Sequence, residues 1–314
     1  MSKNSQDAKL SLLAQFLRAY LRSNIRGQTR LTYLLANRLR SLQAVPIKIA
    51  DWAPVYMDLR LGDSQNWLKG SPWESSPREV GEQAVMRRVV RRGDIAFDIG
   101  ANVGLHTVLL ARLVGAEGRV LAFEPNSELL PALCKTVGGL DNASLYSVAL
   151  SDHAGEATLY VPNDHSMGSL TDWTSDASLA EWRAQIGLSE AQTRTCELQR
   201  MDDMVKAALI PPPDFIKCDV EGAELMVFQG GRETLNRAHA PVILFEANEE
   251  GPRGFGLRKS AAADFLVSLP LPCYHLFEVL EEGGLKSTDT SHFESSNLLA
   301  VPQSKLSLVS SQSD

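Results

Sequence analysis

Six acidic residues follow predicted strands of this chain, and their carboxylates could bind a ligand or act as general bases. They are Asp98, Glu124, Asp152, Asp219, Glu221 and Glu246. In an open α/β sheet, ligands bind beyond the carboxyl ends of the strands, where the strand order reverses. We therefore expect these acids to line one site, because so many acids at strand ends are hard to explain by solubility alone.

A glycine-rich turn stands between the first predicted strand and the helix after it. The turn has the sequence Asp98-Ile99-Gly100-Ala101-Asn102-Val103-Gly104. Gly100 and Gly104 permit a sharp turn and a close approach that a Cβ would block, and the amides of the helix N-terminus then face the turn. The pattern is typical of a turn that binds a nucleotide-type cofactor. The alternative is a glycine-rich turn that binds no ligand.

Glu124 ends the second predicted strand, twenty residues after Gly104. A carboxylate at this place in a doubly wound sheet accepts hydrogen bonds from the two hydroxyls of a ribose. The alternative is an exposed acid without a ligand. Together with the turn, Glu124 predicts an adenosine site.

Asn102 indicates which adenosine cofactor binds. A dinucleotide site has glycine where Asn102 stands, and a pyrophosphate would be crowded there. The negative charge of Asp98 repels phosphate and suits an ammonium or sulfonium group. These residues favour S-adenosylmethionine, and they count against the alternative of a nicotinamide-dependent oxidoreductase.

Strand and helix signals alternate along the body of the chain, as a doubly wound α/β sheet requires. The third predicted strand covers 145–149, so Asp152, or the backbone at Ala149 and Leu150, would contact the adenine edge. Asp152 can equally cap a turn.

Four sequence landmarks resemble the FkbM family of S-adenosylmethionine-dependent methyltransferases. They are GDIAFDIGANVG, VLAFEPN, SVALSDHAGEATLY and DFIKCDVEGAELMVFQGG, and SSNLLAVP resembles the last strand of the family. The resemblance covers about Ser76 to Pro302. It implies a class I Rossmann-like fold with a mostly parallel seven-stranded sheet, and a hydroxyl of a sugar, glycolipid or polyketide-like acceptor. Cys218 and His106 depart from the family pattern.

The acceptor side of the site is predicted from the later strand ends. Methylation of an alcohol requires removal of its proton, for which Asp219 is the first candidate, followed by Glu246 and Glu221. The same three carboxylates could instead bind Mg²⁺, although we assign no metal ligand. Glu224 is interpreted as a helix N-terminal acid, and His106 as a surface residue at the start of a helix.

Length and composition allow one large α/β domain with an extension, since the chain has 314 residues and 44% hydrophobic content. We predict a helical extension and lead-in over 1–75, a methyltransferase domain over 76–302 and a disordered tail over 303–314. Within the domain, 152–196 should form a wall or lid over the acceptor pocket. Trp173 and Trp182 there could stack on a ligand or simply pack.

Charge is concentrated at the N-terminus. Up to Arg40 there are eight basic residues and one acid, and leucines recur at helical spacing on two segments separated near Gly27. Such a segment could contact a membrane surface, or pack on its own domain or on a second subunit. The acidic remainder argues against nucleic acid.

The four cysteines lie far apart without a C-x-x-C pair, and the chain shows neither a secretory pattern nor an apolar run of spanning length. We therefore expect a cytoplasmic location. A non-catalytic adaptor that kept the methyltransferase fold is a further alternative.

Overall fold

The structure of the protein is a computed structural model. It describes residues 10–23, 25–49, 52–70, 77–177, 180, 181, 184, 190–248, 252 and 254–309. Trp182 of the predicted wall or lid lies outside these residues.

The N-terminal part forms three helices and a small hairpin. The helices are α1 (Leu12–Arg22), α2 (Gln28–Arg38) and α3 (Gly62–Lys69), and strands β1 (Val45–Ile47) and β2 (Val55–Met57) pair antiparallel. The side chain of Ser11 caps α1 by accepting from the amide of Ala14. Gly27 precedes α2 with a φ of 87°, so the predicted break between the two helices is present.

An eight-stranded sheet forms the centre of the molecule. Its strands are β3 (Ile95–Ile99), β4 (Arg119–Phe123), β5 (Ala143–Tyr146), β9 (Phe215–Cys218), β10 (Val242–Glu246), β11 (Tyr274–Val279), β12 (Leu285–Thr288) and β13 (Asn297–Pro302). The strand order is β12-β11-β13-β10-β9-β3-β4-β5. β13 runs antiparallel to both neighbours, while the five strands from β10 to β5 are parallel. Seven strands match the predicted sheet, and the short β12 adds an eighth at the edge.

Helices cover both faces of this sheet. They are α4 (Pro77–Val89), α5 (Leu105–Val114), α6 (Leu130–Gly138), α7 (Met201–Lys206), α8 (Glu224–Gly230), α9 (Arg232–Leu235) and α10 (Ala261–Val267). The parallel strands are buried on both sides and read as continuous apolar runs, as in Val242–Glu246. Alternate residues therefore enter two different cores, one containing Leu244 and the other Phe245.

The predicted third strand is divided between two sheets. β5 ends at Tyr146, and β6 (Ala149–Leu150) pairs with β8 (Gln192–Gln199), which also pairs antiparallel with β7 (Gly155–Val161). β7 thus lies within the segment 152–196 that was predicted to form a wall or lid. The chain leaves the central sheet at 147–148 and builds a second sheet beside the first.

Two terminal segments differ from their predictions. In α2, Thr32 and Ala36 are buried while Leu31, Leu34 and Leu39 stay exposed, because the helix packs through its small residues. The tail predicted as disordered from Gln303 forms a 3₁₀ helix over Gln303–Leu308, since its apolar side chains pack on the core and Arg88 donates to backbone carbonyls there. Residues 310–314 lie outside the described residues. Within the described chain, no helix has both the length and the apolar character to cross a bilayer.

Candidate cofactor and acceptor site

A cavity lies at the carboxyl ends of β3 and β9, the two neighbouring strands at which the strand order reverses. From β3 the sheet continues to β4, and from β9 it continues to β10. Residues from the ends of β3, β4, β6 and β9 line the cavity, together with residues of α3 and of the insertion. Of the ten predicted site residues, the cavity is lined by Gly100, Asn102, Glu124, Ala149, Asp219 and Glu221.

The turn after β3 requires its glycine. Gly100 has a φ of 81°, and a Cβ there would overlap the carbonyl oxygen of Asp219. Asn102 also adopts a left-handed conformation with a φ of 53°, which asparagine tolerates better than most side chains. The turn after β3 and the loop after β9 are therefore in backbone contact at the cavity.

Glu124 lies at the end of β4 and is 6% exposed. Its Oε2 accepts from the amide of Asn102 at 2.9 Å, and its Oε1 accepts from the amide of Asn126 at 2.9 Å. Burial raises the pKa of Glu124 to about 7, although both amides lower it. A carboxylate has about four acceptor positions, so two remain for the hydroxyls of a ribose.

Asp98 lies beneath the cavity and is fully buried. Its Oδ2 accepts from the hydroxyl of Thr107 at 2.5 Å, and within the described part of the chain its Oδ1 has no hydrogen-bond partner. The sequence predicted that Asp98 lines the site, but its side chain is not part of the cavity lining. Nearby, Asn102 Oδ1 is another buried acceptor to which the described residues donate no hydrogen bond. Acceptors of this kind suit a cationic ligand such as the amino group and sulfonium of S-adenosylmethionine.

The two candidates for the adenine edge are separated by the structure. Ala149 lines the cavity with Val148 and Leu150. The prediction for Asp152 is not supported, because its half-exposed side chain lies outside the cavity lining and binds His153 Nδ1 at 2.7 Å. The chain turns outward after β6 to enter the second sheet, and Asp152 turns with it.

Of the three residues predicted to take the proton of the methyl acceptor, two lie at the cavity. Asp219 and Glu221 line the cavity, and Lys217 Nζ donates to Asp219 Oδ2 at 2.7 Å. Glu246 does not line it and is buried opposite Asn297 in the β10–β13 pair. The structure therefore does not place Glu246 at the cavity as predicted, because β9 lies between β10 and β3.

Two buried side chains next to this region have shifted pKa values. Burial alone would lower the pKa of Lys217, but the carboxylates of Asp219, Glu82 and Asp98 outweigh it and raise the pKa. Burial raises the pKa of Glu224 to about 7, and its Oε1 accepts from the amides of Val220 and Gly222. Glu224 is the first residue of α8, as interpreted from the sequence, and its side chain also accepts from amides of the preceding loop.

The insertion forms one wall of the cavity. Leu159, Asp164, Ser166, Gly168 and Leu170 line it. The hydroxyl of Ser169 donates to the carbonyl oxygen of Glu221 at 3.0 Å, which joins this wall to the loop after β9. Trp173 is not part of the lining.

The N-terminal lead-in supplies a wall that we did not predict. Met57, Leu61, Ser64 and Trp67 line the cavity. Their position is held by a buried ion pair, since Arg60 Nη2 binds Asp58 Oδ2 at 2.6 Å. Arg60 also binds Glu128, which in turn binds Arg194 of β8. The available sequence signal was the spacing of Asp58 and Arg60, which stand two residues apart.

His106 is a second residue that the sequence misplaced. It is not a surface residue, because its side chain is 13% exposed and its Nε2 lies 3.4 Å from both Glu79 Oε2 and Glu82 Oε2. Glu79 and His106 line the cavity. Burial and the Lys217 ammonium lower the pKa of His106, but Glu79 and Glu82 outweigh them and raise it above its ordinary value.

The fold and the cavity define the class of protein. The order β5-β4-β3-β9-β10-β13-β11 with β13 reversed is that of the class I methyltransferases, and the cavity lies at the carboxyl ends of the parallel strands, where the strand order reverses. The chain belongs to the FkbM methyltransferase family, whose model, Methyltransferase FkbM domain, matches residues 98–281. The family match confirms S-adenosylmethionine as the cofactor predicted from the sequence.

Curated relatives carry related names. The 2-O-methyltransferase NoeI of Sinorhizobium fredii is 30% identical over 46% of this chain and 59% of its own length. The hexuronic acid methyltransferase AglP of Haloferax volcanii is 25% identical over 53% of this chain and 63% of its own length. The chain thus spans about three fifths of these relatives.

Among solved structures, an O-methyltransferase from Bacillus cereus in complex with SAH is 12% identical, with a TM-score of 0.41 over 94% of this chain and 98% of that one. The O-methyltransferase TomG from Streptomyces achromogenes, in complex with SAM, is 11% identical, with a TM-score of 0.39 over 72% of this chain and 79% of that one.

Proposed function

We propose that the protein transfers a methyl group from S-adenosylmethionine to a hydroxyl of a sugar, glycolipid or polyketide-like acceptor. The observation that carries this proposal is the joint placement of Glu124 and Asp219 in one cavity at the carboxyl ends of the parallel strands. The first suits a ribose, and the second is a carboxylate for an acceptor hydroxyl.

The cofactor supplies a methyl group already activated by the sulfonium, so the chain must orient an acceptor and exclude water. Asp219 accepts a hydrogen bond from the acceptor hydroxyl, holds its oxygen for in-line attack on the methyl carbon and takes up the hydroxyl proton as the C–O bond forms. The methyl–sulfur bond would break, and S-adenosylhomocysteine would be the leaving group. Lys217 Nζ donates to Asp219 Oδ2 at 2.7 Å, which holds this carboxylate in place beside the acceptor. The insertion wall and Trp67 shield the cavity from solvent.

A sugar is the favoured acceptor within this class. The names of the two curated relatives refer to 2-O-methylation and to hexuronic acid. The cavity wall combines polar Asp164 and Ser166 with apolar Leu159 and Leu170. Such a mixed wall suits a sugar ring, which has polar edges and apolar faces.

Methyl transfer is tested with isotopically labelled S-adenosylmethionine and a panel of hexuronic acids, neutral sugars, glycolipids and polyketide-like alcohols. We expect label in a sugar product and a product mass increase of one methyl group. Asp219→Asn should lower the rate at saturating cofactor while cofactor binding persists, and Glu156→Gln on the exposed part of β7 is the matched control. Binding of a nicotinamide cofactor in place of S-adenosylmethionine would establish the oxidoreductase instead. Cofactor binding without transfer to any acceptor would support the adaptor.

We also propose that the N-terminal helices contact an anionic membrane surface. Among the described residues, six of the ten exposed large hydrophobic side chains lie between Leu12 and Leu39. Residues 10–40 contain six arginines and no acid, and five of these arginines are exposed. Apolar side chains among exposed cations match the chemistry of an anionic bilayer surface.

Co-sedimentation with vesicles tests this contact. The intact chain should bind vesicles that contain phosphatidylglycerol more strongly than neutral vesicles, and Phe16→Glu with Leu34→Glu should abolish the difference. Leu271→Glu, at an exposed leucine elsewhere, is the control. Equal sedimentation of wild type and the double variant contradicts the proposal, and a dimer in solution that the same substitutions dissociate would assign the surface to a second copy.

The division into an extension over 1–75 and a methyltransferase domain over 76–302 remains our proposal, with the qualification that residues 57–67 complete the cavity. A cytoplasmic location is likewise proposed, supported by the four free cysteines.

A further inference from the structure

Two helices bring three potential metal ligands together beside the cavity. Glu79 and Glu82 lie one helical turn apart on α4, and His106 lies in the first turn of α5. One ligand atom from each of these residues falls within 4.8 Å of the other two. This Glu79/Glu82/His106 cluster is separate from the Asp219, Glu221 and Glu246 set considered from the sequence.

The distances in the cluster fit a shared cation. His106 Nε2 lies 3.4 Å from Glu79 Oε2 and 3.4 Å from Glu82 Oε2. Ligands bound at about 2.1 Å in tetrahedral geometry are separated from one another by about 3.4 Å. A charge-assisted hydrogen bond is shorter, roughly 2.7–2.9 Å. The surface pair of His153 and Asp152 shows the shorter value, 2.7 Å.

One carboxylate of the cluster is oriented by a further hydrogen bond. Asn297 Nδ2 donates to Glu82 Oε1 at 2.7 Å, and both residues are buried. This bond turns Glu82 Oε2 toward His106. Hydrogen bonds that orient carboxylate ligands are a regular feature of protein metal sites.

The cluster has an open side toward the cavity. Glu79 and His106 are cavity-lining residues, whereas Glu82 lies behind them with 3% of its side chain exposed. Three protein ligands with one open position are typical of metal sites that bind a substrate oxygen.

The surrounding charges favour a bound cation. Glu79, Glu82 and Lys217 act electrostatically on His106, and Lys217 is itself paired with Asp219. Asp98 adds another buried carboxylate that acts on Lys217. Four carboxylates therefore face one ammonium and one imidazole, and a divalent cation reduces this excess of negative charge. One imidazole with two carboxylates suits Zn²⁺ or Mn²⁺.

We propose that Glu79, Glu82 and His106 bind a divalent transition-metal cation whose open coordination position faces the cavity and takes an oxygen of the acceptor. The acceptor contact rests on the proposed methyltransferase function, whereas metal binding itself does not.

Metal binding is measured directly on the intact chain after treatment with a chelator. Titration calorimetry with ZnCl₂ and MnCl₂ should show one site per chain, and Mn²⁺ should give an electron paramagnetic resonance signal of bound ion. Glu79→Gln and His106→Gln should abolish this binding. Asn297→Ala should weaken it by about 10- to 100-fold. His153→Gln removes a histidine of an exposed carboxylate pair and should leave the stoichiometry unchanged.

Failures of the two proposals are distinguishable. Absence of stoichiometric binding of either cation, or equal binding by Glu79→Gln, overturns the metal site even if methyl transfer proceeds. Stoichiometric binding lost in both variants, together with S-adenosylmethionine binding but no transfer, supports the site and counts against the proposed activity. Thermal unfolding confirms that Glu79→Gln is folded, since Glu79 is the most exposed of the three ligands.

Discussion

The carboxylate of Glu124 and the backbone amide of Asn102 are joined by a hydrogen bond of 2.9 Å across the floor of the cavity. This bond links the end of β4 to the turn after β3, the two segments that the sequence connected only by spacing. Glu124 therefore holds the turn in shape, and it also lines the cavity in which we propose that the ribose binds. Substitution of Glu124 therefore tests both roles.

Glu124→Ala should weaken S-adenosylmethionine binding by about 1.5–3 kcal/mol, or roughly 10- to 150-fold, because hydrogen bonds to a charged acceptor are lost. Titration calorimetry measures the dissociation constant. Glu156→Gln, at an exposed position of β7, should leave it unchanged. Equal affinity in Glu124→Ala and wild type would remove Glu124 from the cofactor site.

Stability should fall as pH rises from about 4.5 to about 7. The pKa of Glu224 is raised from 4.5 to about 7 in the folded chain, so the folded state holds the proton over this interval while the unfolded state releases it. The part of the loss that comes from Glu224 is about 3 kcal/mol and is complete above pH 7, and Glu124, whose pKa is also raised to about 7, adds a loss of the same sign. Urea unfolding at pH 5 and pH 7.5 measures it. Glu224→Gln should reduce the difference between the two pH values, whereas a difference identical to wild type would show that Glu224 does not titrate in this range.

Gly100→Ala should destabilise the fold and disturb the cofactor site together. The positive φ of 81° and the overlap with the Asp219 carbonyl leave no room for a methyl group. We expect a loss of at least about 2 kcal/mol in unfolding free energy. Gly138→Ala is the matched control, because a Cβ at the end of α6 meets nothing within 4 Å. A melting temperature of Gly100→Ala equal to that of the control would contradict the close approach.

Arg60→Ala should lower both stability and cofactor affinity. Asp58 is fully buried, and removal of its partner leaves a buried charge at a cost of about 3–5 kcal/mol. The segment that carries Met57 and Leu61 then loses its anchor beside the cavity. Arg258→Ala breaks the exposed pair of Arg258 and Asp264 and should change stability by less than about 1 kcal/mol. Unfolding by urea compares the two variants, and similar losses would show that the Arg60 pair is no more important than a surface pair.

Local patterns were sufficient for the class of fold and for the cofactor end of the site. Apolar runs and helical spacing predicted the core strands, and the spacing from Gly104 to Glu124 placed the acid at the end of β4. These features are encoded within about thirty residues of one βαβ unit, whose geometry is largely local.

The predictions that failed depend on how the chain is arranged in three dimensions rather than on local spacing. Glu246 and Asp152 end strands like the other acids, but the sheet order and the turn after β6 take them away from the cavity. His106 resembles a surface residue until α4 brings Glu79 and Glu82 against it.

The sequence by itself determined which segments form the parallel sheet and which carboxylate ends β4 beside the glycine turn, because a strand, a glycine turn and a helix have fixed local geometry. Only the tertiary structure decided which strand ends meet, how Met57 to Trp67 close the cavity and why His106 lies between two glutamates. Those contacts depend on the packing of segments far apart in the chain, and periodicity carries no information about such packing.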